Sequence, residues 1–428
     1  MAGLFVKINN KQMGPYSSKE LENLVTRGEF NHDDLVFHED TQEWIQAGHL
    51  EELRELFSTG PQPERKRTVF AIGGGKGGVG KTVLSASLGI GLAALGHRVV
   101  LVDADLGGAN LHTCLGILEP QYTFYHFYSL QRERLQDILL DTPIENLKLI
   151  SGACGTLGLA NPRFSQKLRF ISELKQLDSD YILVDLGAGS NYNVIDFFIA
   201  AQQGILVTTP EPMAIQETFH FVKVSLLRKL MRRFRKHEAV APILEREAMA
   251  QAGRMRSTID DMLKEIKGVD TAAFTQMEEL LHRFRPLLIL NMVYSADEVK
   301  EGDTLRTALR ELLCVDVDYI GYVEYDESVR RSVKELKPFV IDNPRSRASR
   351  RLAKLISIGL LGRHGWEGLR ERRKVIHQLT DRAENYPNAK LKGNETICSV
   401  RCFYWGDCEY QNGGYPCPIR HLDPIFHH

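Results

Sequence analysis

The chain has 428 residues, with 54 Lys and Arg against 55 Asp and Glu, 43% hydrophobic residues and 25% charged residues. This composition is typical of a globular chain with a sizeable core, and the length predicts two to three domains. It excludes a disordered chain, a collagen-like chain and a small domain held together by disulfides. The first residues lack a charged leader followed by an apolar core, and the uncharged stretch Val83–Gly96 is too short to cross a bilayer. We therefore expect a cytoplasmic protein.

The net charge of −1 conceals an uneven distribution. Residues 1–57 carry 5 basic and 11 acidic side chains, a net charge of −6. Residues 228–236 carry six basic and no acidic side chains, and residues 345–374 carry ten basic and two acidic ones. A solvated helix face and a core helix are the favoured interpretations of these two stretches, with peripheral contact to a membrane or a nucleic acid as the alternative. Neither surface is expected to be the primary partner.

The acidic first segment contains Leu4–Ile8, Gly14-Pro-Tyr16, Arg27-Gly-Glu-Phe30 and Trp44. With these residues, 1–57 resembles a GYF-type domain in its bacterial variant, with Gly-Glu-Phe in place of the usual Gly-Tyr-Phe. It implies a small α+β domain that acts as an adaptor for a protein partner. Related domains hold proline-rich peptides with exposed aromatic residues. Tyr16 and Trp44 are candidates for this role, and a place in the domain core is the alternative for both.

Residues 58–67 are rich in Pro, Gly and charged residues, which predicts a linker. After it, short apolar runs alternate with helix-like stretches, the pattern of βαβ units. We therefore predict an α/β fold for residues 68–386, with a doubly wound, mostly parallel sheet covered by helices. A helical insertion is predicted at about 219–284, where strand-like runs are missing. The predicted strands are Thr68–Ile72, Arg98–Val102, Leu147–Ile150, Tyr181–Val184, Gly204–Val207, Leu287–Leu290 and Val317–Gly321.

A glycine-rich loop follows the first of these strands and leads into a helical stretch. Gly75 to Thr82 matches the G-x-x-x-x-G-K-T pattern of the P-loop, in the strand–loop–helix context that the pattern requires. In such a loop the backbone N–H groups surround the phosphates, Lys81 reaches the β- and γ-phosphates, and Thr82 offers a hydroxyl to Mg²⁺. We therefore predict a P-loop NTPase site for ATP and Mg²⁺. Its nucleotide-binding residues are Gly75, Gly77, Gly78, Val79, Gly80, Lys81 and Thr82.

The loop also contains Lys76, and with it resembles the deviant Walker A loop of the MinD/ParA family of ATPases. In that family the extra lysine crosses a dimer interface to the nucleotide of the partner. The resemblance therefore implies an ATP-dependent homodimer in which Lys76 and Lys81 both act in catalysis.

Two acidic segments match the same family in chain order. Val99–Asn110 ends a strand with two acids and is similar to the switch I segment, while Tyr181–Gly189 is similar to Walker B and switch II. The resemblance implies that Asp105 orients the attacking water. It also implies that Asp103 and Asp185 support Mg²⁺ through its water shell.

The same resemblance also indicates which residues bind the adenine base. Asn291 follows the apolar run Leu287–Leu290 at the position where the family reads adenine through an amide. Pro210 and Glu211 belong to a segment that is similar to the loop lining the base. Both are therefore expected to contact the nucleotide.

The resemblance runs from about Thr68 to Leu361 and is closest to the FlhG/FleN branch, whose members regulate flagellar number and placement. It implies a dimerising ATPase that acts as a switch in spatial organisation, with slow hydrolysis stimulated by a partner, located in the cytoplasm or peripherally at the membrane or cell pole. The alternative is an iron–sulfur carrier of the Mrp type or a reductase like the nitrogenase iron protein. The Mrp-type relatives carry a Cys-x-x-Cys pair in the ATPase core, and this pair is missing here. Cys114 and Cys154 are available for the reductase but do not follow its motif.

Residues 387–428 lack periodicity and contain four of the seven cysteines, Cys398, Cys402, Cys408 and Cys417. In a reduced compartment such a cluster is typical of metal binding rather than of disulfides. We predict a metal-stabilised tail that holds an Fe–S cluster or Zn²⁺ on these thiols, with His421 as a further candidate ligand. Cys417-Pro418 resembles the Cys-Pro that closes many Fe–S sites. The spacing from Cys402 to His421 resembles a Cys3His zinc finger with its gaps in a different order, so both metals stay open.

Overall fold

The structure is a computed structural model that describes residues 4–8, 11–26, 29–30, 34–38, 43–47, 53, 67–152, 164–249 and 259–386. The chain divides into two compact units, Met1–Arg67 and Thr68–His428. Most of the predicted linker and the whole predicted metal-binding tail, with its four cysteines and His421, lie outside the described residues.

The N-terminal unit contains an antiparallel sheet with the strand order β2-β1-β3-β4 and one helix, α1. Val6 of β1 pairs with Val36 of β3, and both side chains are fully buried against Leu21 of the helix. Tyr16 packs against this core, and the half-buried ring of Trp44 contacts Phe37 edge-on with a centroid distance of 5.4 Å. The elements are β1 (Leu4–Ile8), β2 (Lys11–Tyr16), α1 (Ser18–Thr26), β3 (Leu35–His38) and β4 (Glu43–Gln46).

The second unit is built on an eight-stranded sheet with the order β12-β11-β10-β5-β9-β6-β8-β7. Every neighbouring pair is parallel except β7 and β8, which are antiparallel. β5 therefore lies between β9 and β10 at the centre of the sheet. The strands are β5 (Thr68–Gly73), β6 (Val99–Asp103), β7 (Leu140–Asp141), β8 (Leu147–Ile150), β9 (Tyr181–Asp185), β10 (Gln203–Thr208), β11 (Leu287–Val293) and β12 (Asp318–Glu324).

Helices connect these strands. In the parts of the chain that the structure describes, none of them combines the length and the apolar content needed to cross a membrane. A π-helical turn, Leu355–Leu360, continues α14. The α-helices are α2 (Lys81–Ala94), α3 (Leu111–Cys114), α4 (Phe124–Tyr128), α5 (Phe164–Leu174), α6 (Tyr192–Ala200), α7 (Pro212–Arg233), α8 (Ala241–Met249), α9 (Ile259–Val269), α10 (Thr271–Arg283), α11 (Lys300–Leu313), α12 (Glu327–Lys334), α13 (Phe339–Asp342), α14 (Arg347–Lys354) and α15 (Gly365–Asn385).

Both faces of the large sheet are buried, as its continuous apolar strands require. In β6, Val100 and Val102 belong to one apolar cluster, whereas Val99 and Leu101 belong to a second one. Successive strand residues point to opposite faces, so the two clusters are the cores above and below the sheet. Helices α6 to α11 contribute to the first core, and α2, α14 and α15 contribute to the second.

The predicted fold class, a doubly wound and mostly parallel sheet beside a small N-terminal sheet, is confirmed. The predicted strands are present, most of them longer by one to three residues at their ends. β7 was not predicted, because its two residues carry no periodic signal. In its described residues, region 219–284 consists of helices joined by short turns, such as the turn at 234–240. Phe221, Leu244, Ile266 and Met277 pack into the first core.

A buried charge cluster joins α5, α6 and α7. The carboxylate of Asp196, 3% exposed, accepts hydrogen bonds from Lys167 Nζ at 2.9 Å and Arg228 Nε at 3.0 Å. The guanidinium of Arg228 also lies over the ring of Tyr192 at 4.8 Å. Burial alone would raise the pKa of Asp196, but the bonds from Arg228 and Lys167 outweigh it and hold the pKa below its usual value. The carboxylate is therefore charged in the folded protein.

We expect Asp196→Ala to lower the free energy of unfolding by about 3–5 kcal/mol, because it leaves the buried Lys167 and the half-buried Arg228 without their partner. Urea denaturation measures this change. Asp141→Ala is the matched control, since the exposed pair of Asp141 with Lys148 at 3.2 Å is worth less than about 1 kcal/mol. Equal losses in the two variants would show that the buried cluster does not stabilise the fold in this way.

Candidate nucleotide-binding site

The predicted loop residues connect the end of β5 to the start of α2. Gly75 and Val79 are buried, whereas Gly77 and Gly78 are exposed. Gly80 has a φ of +88°, and a Cβ there would lie 2.4 Å from Nδ2 of Asn291. Only glycine meets both conditions, because other residues rarely adopt this φ and have no room beside the amide. The loop therefore keeps its backbone N–H groups in the curled path that suits a phosphate.

Two lysines lie in the loop. Lys81 is the first residue of α2 and is 7% exposed. Its Nζ donates to the carbonyl oxygen of Lys76 at 3.0 Å, so the ammonium group is held directly under the loop. Burial lowers the pKa of Lys81, and the carboxylates of Asp185 and Asp105 act in the opposite direction. The side chain of Lys76 is half-buried.

Two of the predicted acids end neighbouring strands. Asp103 of β6 pairs in register with Asp185 of β9, and both side chains are almost fully buried. Burial, and then the nearby Asp185 charge, raise the pKa of Asp103 to about 8. Burial raises the pKa of Asp185 to about 6, against the hydroxyls of Ser85 and Thr82 and the charge of Lys81. Two buried carboxylates side by side favour a bound cation.

The two oxygens of Asp185 differ. Oδ1 accepts a hydrogen bond from the hydroxyl of Ser85 at 2.8 Å. Oδ2 is buried and makes no hydrogen bond with any described residue. An oxygen in this state suits a water molecule of a hydrated cation, because a buried acceptor without a partner is unfavourable. With the Thr82 hydroxyl also near Asp185, the residues present fit Mg²⁺.

Asp103 and Asp105 organise the segment after β6. Oδ1 of Asp103 accepts from the N–H of Asp105 at 3.3 Å, and Oδ2 accepts from the N–H of Leu111 at 3.0 Å. Asp103 therefore holds the loop through its backbone. The carboxylate of Asp105 lies against Gly187, where a Cβ would come within 3.0 Å of Oδ1. The segments predicted as switch I and switch II are in contact at this point.

The predicted base-binding residues lie in two different places. Asn291 is buried and donates from Nδ2 to the carbonyl oxygen of Val79 at 2.8 Å. It lines an apolar cavity of ≈ 310 Å³ together with Met292, Val323, Tyr325, Val329 and Phe339. Pro210 lines a separate groove of ≈ 390 Å³ between α7 and α11, and Glu211 is exposed and accepts from the hydroxyl of Thr209. The structure therefore brings Asn291, but not Pro210, to the cavity beside the P-loop.

Three parts of the site were not predicted from the sequence. Ser85 and the Asp105–Gly187 contact join segments that are distant in the chain, and the cavity residues carry no motif. Ser85 has one local signal, since it lies four residues after Lys81 and so on the same helix face. Within the described ranges, the structure has no group of three or more His, Cys, Asp and Glu placed to hold a metal directly. Mg²⁺ would therefore be held through the Thr82 hydroxyl and through water on Asp185.

A lysine and paired acids that converge under a glycine-rich loop, at the carboxyl ends of central parallel strands, define a P-loop nucleotide-binding protein. The family of the CobQ/CobB/MinD/ParA nucleotide binding domain matches residues 70–339, and the family GYF domain 2 matches residues 5–53. The chain belongs to the CobQ/CobB/MinD/ParA family and is an ATPase of the MinD/ParA type. The predictions of the family, of ATP hydrolysis and of an N-terminal GYF domain are confirmed.

Individual relatives cover different parts of the chain. The antiactivator FleN of Pseudomonas aeruginosa is 30% identical over 284 residues, which are 66% of this chain and 82% of FleN. The flagellum site-determining protein YlxH of Helicobacter pylori is 36% identical over 159 residues, 36% of this chain and 53% of YlxH. The septum site-determining protein MinD of Pyrococcus horikoshii, solved with Mg-ADP, has a TM-score of 0.45 and 21% identity, and the match covers 69% of this chain and 98% of MinD.

In the absence of Mg²⁺ and nucleotide, we expect the protein to lose stability as the pH rises from about 4 to 8. An Asp has a pKa of about 3.9 in the unfolded chain, against about 8 for Asp103 and about 6 for Asp185 when folded. The folded state therefore holds more protons in this range, and its stability falls by up to about 1.4 kcal/mol per pH unit for each extra proton.

Urea denaturation in a chelating buffer at a series of pH values measures this slope. Asp103→Asn, which keeps the shape but cannot ionise, should show a smaller decline than the wild type over the same range. If the free energy of unfolding falls equally with pH in the two proteins, the pKa of Asp103 is not raised in the folded state.

Proposed function

We propose that this chain is an ATP-driven switch that determines where a cellular structure, such as a flagellum, is placed. Support comes from the match to FleN over 82% of its length and from relatives named as flagellum site-determining and septum site-determining proteins. The proposed catalytic groups are Lys76 and Lys81 of the P-loop and Asp105, whose charge acts on Lys81. The protein would act in the cytoplasm, peripherally at the membrane or cell pole.

The reaction is transfer of the γ-phosphoryl group of ATP to water. An in-line water forms a bond to the γ-phosphorus while the bond to the bridging oxygen of ADP breaks, which gives ADP and phosphate. Lys81 stabilises the charge on the β- and γ-phosphates, and the N-terminus of α2 adds its partial positive charge. Asp105, pressed against Gly187, would orient the attacking water.

Mg²⁺, when bound, neutralises the charge on the phosphate oxygens and orients them. The Thr82 hydroxyl and water on Asp185 Oδ2 would hold it. Asp103 would act on the site indirectly, because both of its oxygens already accept hydrogen bonds from backbone N–H groups. Its part is to fix the loop that carries Asp105.

Adenine would occupy the apolar cavity beside Asn291. The side-chain amide of Asn291 is buried at the wall of this cavity and is held by the Val79 carbonyl oxygen at 2.8 Å. Its remaining N–H and Oδ1 can meet the polar edge of a purine, while Met292 and Tyr325 offer apolar contact to the ring. Pro210 and Glu211 stay proposed contacts of the nucleotide from the neighbouring loop.

The switch itself would be an ATP-dependent homodimer. Lys76 has its half-buried side chain in the loop beside Lys81, whose Nζ binds the Lys76 carbonyl oxygen. A cation at this position can reach the phosphates of a second copy across a shared face. Slow hydrolysis, stimulated by a partner, would then return the dimer to monomers.

ATP, but not ADP, should therefore convert the purified protein from monomer to dimer in sedimentation velocity. Lys76→Ala should remove this conversion while keeping nucleotide binding, because Lys81, Thr82 and the backbone of the loop are unchanged. Lys148→Ala removes an exposed lysine of β8, three strands away from β5 in the sheet, and should behave like the wild type. Asp105→Ala should retain the dimer and slow hydrolysis by about 100-fold or more.

A wild-type protein that stays monomeric at saturating ATP would sink the dimer proposal. If the Lys76→Ala variant dimerises with ATP as readily as the wild type, Lys76 does not contribute to the dimer interface.

The N-terminal unit would serve as an adaptor for a protein partner. The GYF domain match and the pair of partly buried aromatic rings, Trp44 and Phe37, support this role. Lys7 lies 6.0 Å from the centre of the Trp44 ring, so one face of the small sheet combines aromatic and charged groups. Such a surface suits an extended peptide that carries proline residues.

The tail would bind an Fe–S cluster or Zn²⁺ on Cys398, Cys402, Cys408 and Cys417, with His421 as a further ligand. Elemental analysis and visible spectra of the purified protein should show either zinc or the absorbance of a cluster. A double Cys402→Ser and Cys408→Ser variant should lose the metal, because thiolates are the ligands. Cys314→Ser, which alters a half-buried cysteine of the ATPase unit, should keep it. A wild-type protein with neither metal would refute the site.

A further inference from the structure

Ser85 lies on the second turn of α2 and is fully buried. Its Oγ is 2.8 Å from Oδ1 of Asp185 and 2.9 Å from the carbonyl oxygen of Lys81. A hydroxyl has one proton to donate, and a carboxylate is a stronger acceptor than a peptide carbonyl. The proton therefore goes to Asp185 when that group is ionised.

This bond has a geometric consequence for the site. Ser85 and Lys81 are four residues apart on one helix, so Ser85 fixes the end of β9 relative to the helix that carries Lys81 and Thr82. With Oδ1 of Asp185 held in this way, Oδ2 is the buried oxygen that has no protein partner among the described residues. The orientation of that free oxygen is set by the hydroxyl of Ser85.

We propose that Ser85 is a positioning residue for the Mg²⁺-dependent step, since its hydroxyl holds the Asp185 carboxylate with one oxygen free for the hydrated cation. This inference rests on the ATPase function assigned above. Ser85 itself touches neither the nucleotide nor the reacting water. It acts through Asp185 only.

Ser87 provides the contrast within the same helix. It is 2% exposed, and its Oγ donates to the carbonyl oxygen of Val83 at 2.6 Å. Both hydroxyls thus lie beside the carbonyl oxygen of the residue four positions earlier, but only that of Ser85 also reaches a carboxylate. A structural effect of losing a buried helix hydroxyl should therefore appear in both serine positions, whereas an effect on Mg²⁺ should appear only at Ser85.

The test compares Ser85→Ala and Ser87→Ala with the wild type in full-length protein. The affinity for a fluorescent ADP analogue is measured at a series of Mg²⁺ concentrations and also in excess chelator. For Ser85→Ala we expect the half-saturating Mg²⁺ concentration to rise about 10- to 100-fold, the range found when a partner of a metal-holding group is removed. Affinity in chelator should stay at the wild-type value, and Ser87→Ala should match the wild type in both conditions.

A conservative variant adds a rescue. Ser85→Thr keeps the hydroxyl and should restore the Mg²⁺ dependence. If the added methyl group prevents folding, Ser85→Cys keeps the size with a weaker S–H donor and should give an intermediate value. The turnover number for ATP should follow the same order as the Mg²⁺ affinity.

Two results would overturn the inference. One is a Ser85→Ala protein whose Mg²⁺ dependence equals that of the wild type. The other is an equal shift in Ser85→Ala and Ser87→Ala, which would assign the effect to helix packing. If the wild type itself binds nucleotide without any dependence on Mg²⁺, the inference fails together with the magnesium part of the proposed function. If the wild type depends on Mg²⁺ but Ser85→Ala behaves like it, only the inference about Ser85 fails.

Discussion

The nucleotide site of the ATPase unit depends on two carboxylates that lie side by side in a buried position. Asp103 and Asp185 are in register at the ends of neighbouring parallel strands, and each is less than about 2% exposed. Without a cation, burial raises both pKa values, and the charge of Asp185 raises the pKa of Asp103 further. The protein offsets this with the Lys81 ammonium, the Ser85 hydroxyl and two backbone N–H groups. The two buried carboxylates therefore make the folded protein less stable than uncharged side chains would, and the site keeps them because binding of a cation requires them.

The same two acids organise the segments around them. Asp103 binds the backbone of the loop after β6, and the next acid along, Asp105, lies against Gly187 of the loop after β9. Asp185 is joined by Ser85 to the helix that begins at the P-loop. Three loops that are far apart in sequence thus share a few short contacts. A displacement of the segment that carries Asp185 would therefore alter both the contact with Asp105 and the hydrogen bond to Ser85.

Much of this could be predicted from the sequence, because β5 and the P-loop carry local signals that agree with one another. The apolar runs predicted the parallel strands, and the spacing from Gly75 to Thr82 predicted the loop. Contacts between distant segments could not be predicted in this way. The bond from Ser85 to Asp185 joins residues 100 positions apart and leaves no periodic trace. The cavity beside Asn291 is likewise formed by apolar residues, such as Val329 and Phe339, whose types are those of any core.

The basic stretch at residues 228–236 shows that a count of charges in the sequence does not reveal which of them are available to a partner. Arg228 and Arg232 approach Asp196, at 3.0 and 3.6 Å respectively. Lys229 lies over the ring of Phe284 at 5.2 Å, and Arg233 bonds to Gln276 at 3.0 Å. Four of the six cations in this stretch therefore act within the protein, between α6, α7 and α10, and the stretch is not a freely available polycation.

The ion pair between Arg228 and Asp196 also connects the basic stretch to the nucleotide site. α6 begins three residues after Gly189, at the end of the segment that contacts Asp105, and its Asp196 is the partner of Arg228 on α7. Displacing α6 relative to α7 would expose a buried carboxylate or separate it from its cations, and either is costly. The ion pairs of Asp196 therefore hold the helix that follows the loop after β9 against α5 and α7.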